Sequence, residues 1–142
     1  TRPWQHVIEP LYGYILLAEK LTSKTGNQFA KAWNFGPSTR QNMKVINLVS
    51  LIKKQMQTNS RILIKRQFKK INKKYTSFES KYLNIDSSNV FKALKWSPSL
   101  SIRNAVELTV EWHKTFLNKG NMLDLTRRQV KDYLRKISKY NR

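Results

Sequence analysis

Five segments with the features of α-helices dominate the sequence, and short clusters of turn-forming residues separate them. In the longer segments apolar residues recur every three or four positions, which places them on one face of a helix. The predicted helices span about residues 10–21, 43–57, 88–94, 101–118 and 126–137. At 142 residues the chain is expected to form one domain, residues 1–142, that contains about five helices.

The boundaries of these helices carry recognisable capping residues. Pro10 suits the first helical turn because its missing N–H would have no helical partner there. Ser101 is expected to cap the fourth helix, and Gly120 to end it. Thr126-x-x-Gln129 is a capping box, which predicts the start of the last helix. The expected apolar faces are Leu11, Tyr14, Ile15, Ala18 and Leu21 in the first helix, Val45, Leu48, Val49, Ile52 and Met56 in the second, and Val130, Tyr133, Leu134 and Ile137 in the last.

Two short segments between the helices have the composition of β-strands. They cover residues 32–35, closed by Gly36 and Pro37, and residues 82–85. The segment 61–74 fits two predictions, a strand followed by a basic loop or a basic amphipathic helix, and its alternating start favours the strand. Because these strands alternate with helices, the sequence predicts an α/β fold with short strands.

Cysteine is absent, which excludes disulfides and cysteine-ligated metals and favours the reducing cytoplasm as the location. No apolar run reaches the ~18 residues that a membrane span needs, so no membrane partner is expected. The chain opens at Thr1 without a signal-like segment, so either it is shortened or its natural start lies upstream.

A net charge of +20 favours a polyanionic partner, which could be nucleic acid, an anionic membrane or a phosphate-bearing small ligand. The alternative is a lysine-rich bias spread over solvated surfaces, which agrees better with basic residues that recur along the whole chain. A nucleic-acid-binding module centred on residues 61–74 is the weaker hypothesis, since only Phe68 and the neighbouring Tyr75 could stack on bases.

Several catalytic motifs are missing from the sequence. The four glycines stand at positions 13, 26, 36 and 120, so no Gly-x-Gly-x-x-Gly turn exists to seat a dinucleotide pyrophosphate. Neither a phosphate-binding Walker motif nor a Tyr-x-x-x-Lys pair occurs. The two histidines, His6 and His113, do not make a convincing metal site with so few carboxylates nearby. These observations indicate a binding or structural piece, with no catalytic residues and no metal.

Residues 2–11, Arg-Pro-Trp-Gln-His-Val-Ile-Glu-Pro-Leu, are similar to a string typical of CDP-glucose 4,6-dehydratases, members of the extended short-chain dehydrogenase/reductase group. Residues 32–37, Ala-Trp-Asn-Phe-Gly-Pro, resemble the next signature of that family. Three weaker matches follow. The first comprises Glu79, Tyr82, Leu83 and Asp86. The second is Leu94-x-Trp96-x-Pro98, where the family has Leu-Gly-Trp-x-Pro, and the third is Thr109-Val110-Glu111-Trp112. The resemblance covers about residues 1–37 and 78–137 and is poor in between.

This resemblance implies a nucleotide-sugar lyase of polysaccharide biosynthesis that uses NAD. In the complete enzyme NAD takes hydride from C4 of the glucose of CDP-glucose, water leaves across C5 and C6, and hydride returns to C6. The N-terminal dinucleotide-binding half, which holds NAD and the catalytic pair, would precede Thr1. The chain is therefore expected to be the C-terminal substrate-binding portion, a fragment that binds CDP-glucose, holds no cofactor and is inactive alone. A portion of another nucleotide-sugar epimerase or dehydratase, or a non-functional remnant, are the alternatives.

Four residues are candidates for substrate binding. Arg2 could grip the diphosphate with a bidentate guanidinium fork, or lie on the surface. Trp4 could wall the nucleotide site or belong to the core. Asn34, a polar residue in a predicted strand, needs a partner that the ligand could supply. Glu79 matches an acidic position of the family.

Two departures from the family pattern flank Glu79. Phe78 and Lys81 stand where the family has histidines, so two imidazoles that could both donate and accept hydrogen bonds are missing. These departures put the ligand pocket in doubt and indicate a diverged copy.

Overall fold

A computed structural model describes residues 1–56 and 82–140, and within them the chain is mostly helical. The helices are α1 (Ile8–Leu21), α2 (Val45–Met56), α3 (Ser88–Leu94), α4 (Ile102–Leu117) and α5 (Met122–Tyr140). Two short 3-10 helices, Gly26–Phe29 and Thr39–Gln41, lie between α1 and α2. All five predicted helices are present, with ends within four residues of the predicted ones. The segment 61–74 lies outside the described residues.

The predicted α/β character is not observed in the described ranges, where the structure contains helices and no β-strand. Residues 32–35 and 82–85 are non-helical segments without a strand partner. Elsewhere in the described ranges, Arg2 and Met43 form an isolated antiparallel β-bridge. Residues 32–35 are instead held by a side chain, since Gln5 Nε2 donates to the Phe35 carbonyl at 2.8 Å.

The predicted caps are correct at one end of α4 and wrong at the start of α5. Ser101 Oγ accepts from the Asn104 N–H at 3.2 Å, as expected for an N-cap. α5 begins four residues before Thr126, where the Asn121 side chain accepts from the Asp124 N–H at 3.2 Å. Gln129 lies within the helix and donates to the Leu108 carbonyl at 3.1 Å. Gln129, which was predicted to belong to a capping box, therefore makes a tertiary contact instead.

The end of α4 shows why Gly120 is a glycine. Lys119, with φ 53°, is the left-handed residue, and the Gly120 N–H donates to the Thr115 carbonyl at 2.9 Å. This is a Schellman-type end, in which glycine is usual one position earlier. A Cβ at Gly120 would lie 2.7 Å from Thr115 Cγ2, so close approach explains this glycine.

The main core surrounds Trp96, which is 1% exposed. The ring of Phe35 packs edge-on against it with centroids 5.1 Å apart, and Val90 and Leu94 of α3 complete the cluster. Gly13 of α1 lies against Phe35, where a Cβ would collide with the ring. The glycine therefore lets α1 approach this core.

Two further clusters join the remaining helices. Met56 of α2 packs with Val106 and Val110 of α4. Tyr133 and Ile137 of α5 pack with Leu100. Partly buried residues contact these two clusters, namely Leu48, Leu51, Ile52, Ile8, Tyr12 and Leu108.

Several apolar faces differ from the predicted ones, most clearly in α1. All five residues of its predicted face are exposed, namely Leu11, Tyr14, Ile15, Ala18 and Leu21. The helix instead packs through Tyr12, Leu16 and Leu17. α1 is apolar on more than one face, so spacing alone did not identify the buried one. In the same way Val45 of α2 and Val130 and Leu134 of α5 are exposed, whereas Leu48, Ile52 and Met56 are packed as predicted.

Glu9 is a buried carboxylate at the start of α1 that joins three parts of the fold. It is 1% exposed, and its Oε1 accepts from the backbone N–H groups of Ser99 at 2.8 Å and Leu100 at 2.6 Å. Oε2 accepts from the hydroxyl of Tyr133 at 2.8 Å. Trp96 Nε1 donates to the Glu9 carbonyl at 3.1 Å. These bonds fix α1, the 96–100 loop and α5 relative to one another.

None of the described helices is both long enough and apolar enough to cross a membrane.

Candidate functional site

The opening segment of the chain is fixed to two distant parts of the backbone. Arg2 exchanges backbone hydrogen bonds of 3.1 and 3.3 Å with Met43, and Trp4 Nε1 donates to the Met43 carbonyl at 3.1 Å. One residue further on, Gln5 donates to the Phe35 carbonyl. The segment therefore lies between residues 35 and 43, and most of its polar contacts hold the fold together.

The candidate Arg2 carries a half-buried guanidinium whose Nη1 donates to the Thr1 carbonyl at 2.9 Å. A guanidinium has five N–H donors in a fixed fork, which can bind two oxygens of one phosphate side by side. Trp4 is also half-buried, and its indole N–H is used by Met43. The two candidates are thus brought together at Met43.

Asn34 is exposed, so it needs no internal partner, contrary to the expectation for a strand residue. It directly precedes Phe35, which places its backbone beside the Gln5 attachment point. Glu79, with its neighbours Phe78 and Lys81, lies outside the described residues. The structure therefore places three of the four candidates around the opening segment.

His6 has a structural contact rather than a free imidazole. Its Nδ1 accepts from the Ile8 N–H at 3.2 Å. Burial lowers the pKa of His6 below its usual 6.5, which favours the neutral ring that can accept this bond.

A polar-edged cleft of about 520 Å³ lies next to residue 35, between the 36–39 and 84–88 loops. The Gly36 N–H donates to Ser87 Oγ at 2.8 Å, and Asn42 hydrogen-bonds Asn84. A Cβ on Gly36 would lie 2.6 Å from Ile85 Cβ, so glycine permits the close approach of the two loops. Side chains able to donate or accept hydrogen bonds border this cleft, namely Ser38, Thr39, Asn84, Asp86 and Ser88.

Asp86 is the charged group of the cleft, although it also has a local structural role. Its Oδ1 accepts from the Ser88 N–H at 2.9 Å at the start of α3. This backbone hydrogen bond lowers the pKa of Asp86, so the carboxylate is charged at neutral pH.

Arg2, Trp4 and Asn34 do not line this cleft. The prediction missed Ser38, Thr39 and Asn84. A polar loop after Gly36-Pro37 was the available signal, but such loops are common. Through Gln5 and Gly36 the opening segment and the cleft meet at residues 35–36.

Within the described residues, neither a dinucleotide nor a metal has a fitting site. Within residues 1–56 and 82–140 no group of three or more His, Asp or Glu side chains could hold a metal ion. Gly13, Gly36 and Gly120 each pack against a neighbouring side chain, and none opens a turn at a helix N-terminus. A dinucleotide pyrophosphate needs such a turn. The cleft is bordered by hydroxyl, amide and carboxylate groups, and most of its lining surface is apolar.

Within the described residues, these features define a mostly helical structure with a cleft that polar side chains border. The chain is similar to CDP-glucose 4,6-dehydratase of Salmonella typhimurium, with 32% identity over 133 residues. The match covers 94% of this chain and 35% of that protein's length. The resemblance predicted from residues 2–11 is thereby confirmed. No protein-family profile matches the chain.

Proposed function

We propose that this chain is the C-terminal substrate-binding portion of a CDP-glucose 4,6-dehydratase-like protein. The observation that carries the proposal is the similarity to the Salmonella typhimurium enzyme over 94% of the chain. Because the chain spans about a third of that enzyme's length, we propose that it contributes one part of the activity, the binding of substrate. The ligand proposed for this part is the nucleotide sugar, CDP-glucose.

Two parts of the site would divide the work of binding. Arg2 would hold the diphosphate, because a guanidinium can pair with two phosphate oxygens in a bidentate geometry. The cleft beside residue 35 would hold the sugar, because Ser38, Thr39 and Asn84 offer groups that can donate to and accept from hydroxyls. Trp4 and Asn34 would flank the path between these two regions, and Glu79 belongs to the same proposed set.

The oxidation step would be performed outside this chain. In the complete enzyme NAD would accept hydride from the sugar and return it, and the glycines described here do not form a pyrophosphate site for it. The sequence also has no Tyr-x-x-x-Lys pair to act as base. We therefore propose an N-terminal dinucleotide-binding half as the partner that completes the enzyme, and the chain by itself should bind without turnover.

Isothermal titration calorimetry of the purified chain tests this function. CDP-glucose is expected to bind more tightly than dTDP-glucose or GDP-mannose, and no 4-keto-6-deoxy sugar should form when NAD is added. A preference for dTDP-glucose or GDP-mannose would favour another nucleotide-sugar enzyme. Absence of binding to all three ligands, or turnover by the chain alone, would contradict the proposal.

A further inference from the structure

Helix α5 has an apolar stripe on the side that does not contribute to the core. Its core side is formed by Tyr133 and Ile137. The outer stripe contains Leu123, Val130 and Leu134, which are 58%, 41% and 46% exposed. Their separations of seven and four residues keep them in line on an α-helix. They line a groove of about 560 Å³.

This groove continues into a second apolar concavity of about 420 Å³ between α1, α4 and α5. Thr126 and Val130 line both. The second concavity is also lined by Val7, which precedes α1, by Leu11 of α1 and by Trp112 of α4. The two concavities together make an apolar track along α5, here called the α5 groove.

The wall at Trp112 is held in a defined position. Its Nε1 donates to Thr126 Oγ1 at 3.3 Å, and its ring stacks on Phe116 with centroids 5.7 Å apart and an angle of 8°. A fixed aromatic wall beside a concave apolar pocket is the geometry in which a partner's side chain can be anchored.

The edge of the α5 groove is positively charged. Arg127, Lys131 and Arg135 line it at four-residue intervals, which places them in one row. Asp132 pairs with Arg135 at 3.3 Å, whereas no ion pair is found for Arg127 or Lys131 among the described residues. The edge therefore favours acidic groups in a partner. A second copy of this chain, itself at +20, does not supply them.

We propose that the α5 groove binds an amphipathic helix of another protein, with apolar residues along one stripe and Asp or Glu beside it. The helical spacing of the apolar track matches this mode of recognition, in which anchors recur at i, i+4 and i+7. A concave track with one cationic row suits a helix better than a flat anionic membrane. This inference does not depend on the proposed sugar-nucleotide function.

Fluorescence anisotropy with a designed probe tests the inference. The probe is a fluorescein-labelled helical peptide of about 18 residues with leucines at i, i+4, i+7 and i+11 and glutamates along one flank. A peptide of identical composition in scrambled order controls for general attraction to a basic protein. The ordered peptide is expected to bind about tenfold more tightly than the scrambled one.

Substitutions locate the binding to the groove. Val130→Asp and Leu134→Asp should each weaken the ordered peptide about tenfold, whereas Val45→Asp, at an exposed residue of α2, should not. Lys131→Glu should weaken the acidic peptide and restore affinity for a peptide in which lysines replace the glutamates. Far-UV circular dichroism and thermal melts confirm that each variant is folded.

Equal binding of ordered and scrambled peptides would overturn the inference. So would unchanged affinity in Val130→Asp and Leu134→Asp. If these variants alter self-association in sedimentation velocity, or binding to phosphatidylglycerol vesicles, without changing peptide affinity, the groove serves a second copy or a membrane and the inference is wrong.

Discussion

The hydroxyl of Tyr133 donates a 2.8 Å hydrogen bond to Oε2 of Glu9, across 124 positions of sequence. Burial raises the pKa of Tyr133 well above its usual 10, and acceptance by the Glu9 carboxylate raises it further. The phenol therefore remains a donor throughout the neutral range. Together with the Ser99 and Leu100 N–H groups it satisfies a carboxylate that has no basic partner among its hydrogen bonds.

Removing either member of this pair should destabilise the fold. Tyr133→Phe deletes a hydrogen bond to a buried charged group, so the free energy of unfolding should fall by about 1.5–3 kcal/mol. Glu9→Ala leaves several buried donors unsatisfied and should cost about 3 kcal/mol or more. Urea unfolding followed by circular dichroism measures both.

Tyr14→Phe is the matched control, because Tyr14 is on the exposed side of α1, the helix that carries Glu9. It should change stability by less than about 0.5 kcal/mol. Equal losses for Tyr133→Phe and Tyr14→Phe would show that the Glu9 bond contributes nothing specific.

The sequence predicted the number and limits of the helices because local spacing and capping determine them. It could not predict the role of Glu9, since the partners lie 90 to 124 positions away. For the same reason Gln129 was placed in a capping box, whereas its side chain donates to Leu108 and Glu111 of α4. Long-range hydrogen bonds, rather than periodicity, decide such positions.

The candidate site was predicted only in outline. Arg2 and Trp4 were chosen because they lie in a string that matches a family, and in the structure Trp4 and its neighbour Gln5 fix backbone at Met43 and Phe35. A string of this kind identifies relatives equally well whether its residues bind ligand or hold the fold. The cleft depends on the approach of Gly36 to Ile85, which no local pattern reveals.

Lys95 follows α3 in the left-handed conformation, with φ 55°, at the position where the related family turn has glycine. The left-handed conformation destabilises a residue with a Cβ by roughly 1–2 kcal/mol. Glycine avoids this strain, but its greater conformational entropy in the unfolded chain offsets part of the gain. Lys95→Gly should therefore stabilise the fold by about 0.5–1 kcal/mol, measured as a rise in the urea midpoint.

Lys92→Gly provides the control inside the same helix. Glycine in a helix interior costs about 1 kcal/mol, so this variant should be less stable. Destabilisation by both substitutions would contradict the conformational explanation of Lys95.

The lowered pKa of His6 predicts a pH dependence of stability. Between its folded pKa and the unfolded value of 6.5, the unfolded chain binds more protons than the folded one. Stability should therefore fall as pH decreases from 6.5 and stop falling from this cause below the folded pKa. The loss due to Asp86 and Glu111, whose pKa values are also lowered, comes at more acidic pH.

His6→Asn separates this contribution from the others. The Asn amide oxygen can accept the Ile8 N–H in place of Nδ1, and it does not titrate. Urea midpoints measured between about pH 5 and 7 should slope for the natural chain and be flat for the variant. The same slope in both would exclude His6 as its source.

Arg2 is the position at which the proposed binding function can be tested with the least disturbance of the fold. Its attachment to Met43 uses backbone atoms, so Arg2→Gln removes the charge and keeps those bonds. Loss of a charge-assisted contact of about 1.5–3 kcal/mol should weaken the affinity for CDP-glucose by about 10- to 100-fold in calorimetry, and Arg2→Lys should recover part of it.

The control is Arg103→Gln, at an exposed arginine of α4, which makes the same change in net charge. Because general attraction to a cationic protein would respond equally to both substitutions, a loss confined to Arg2→Gln identifies a specific diphosphate contact, and equal losses reject it.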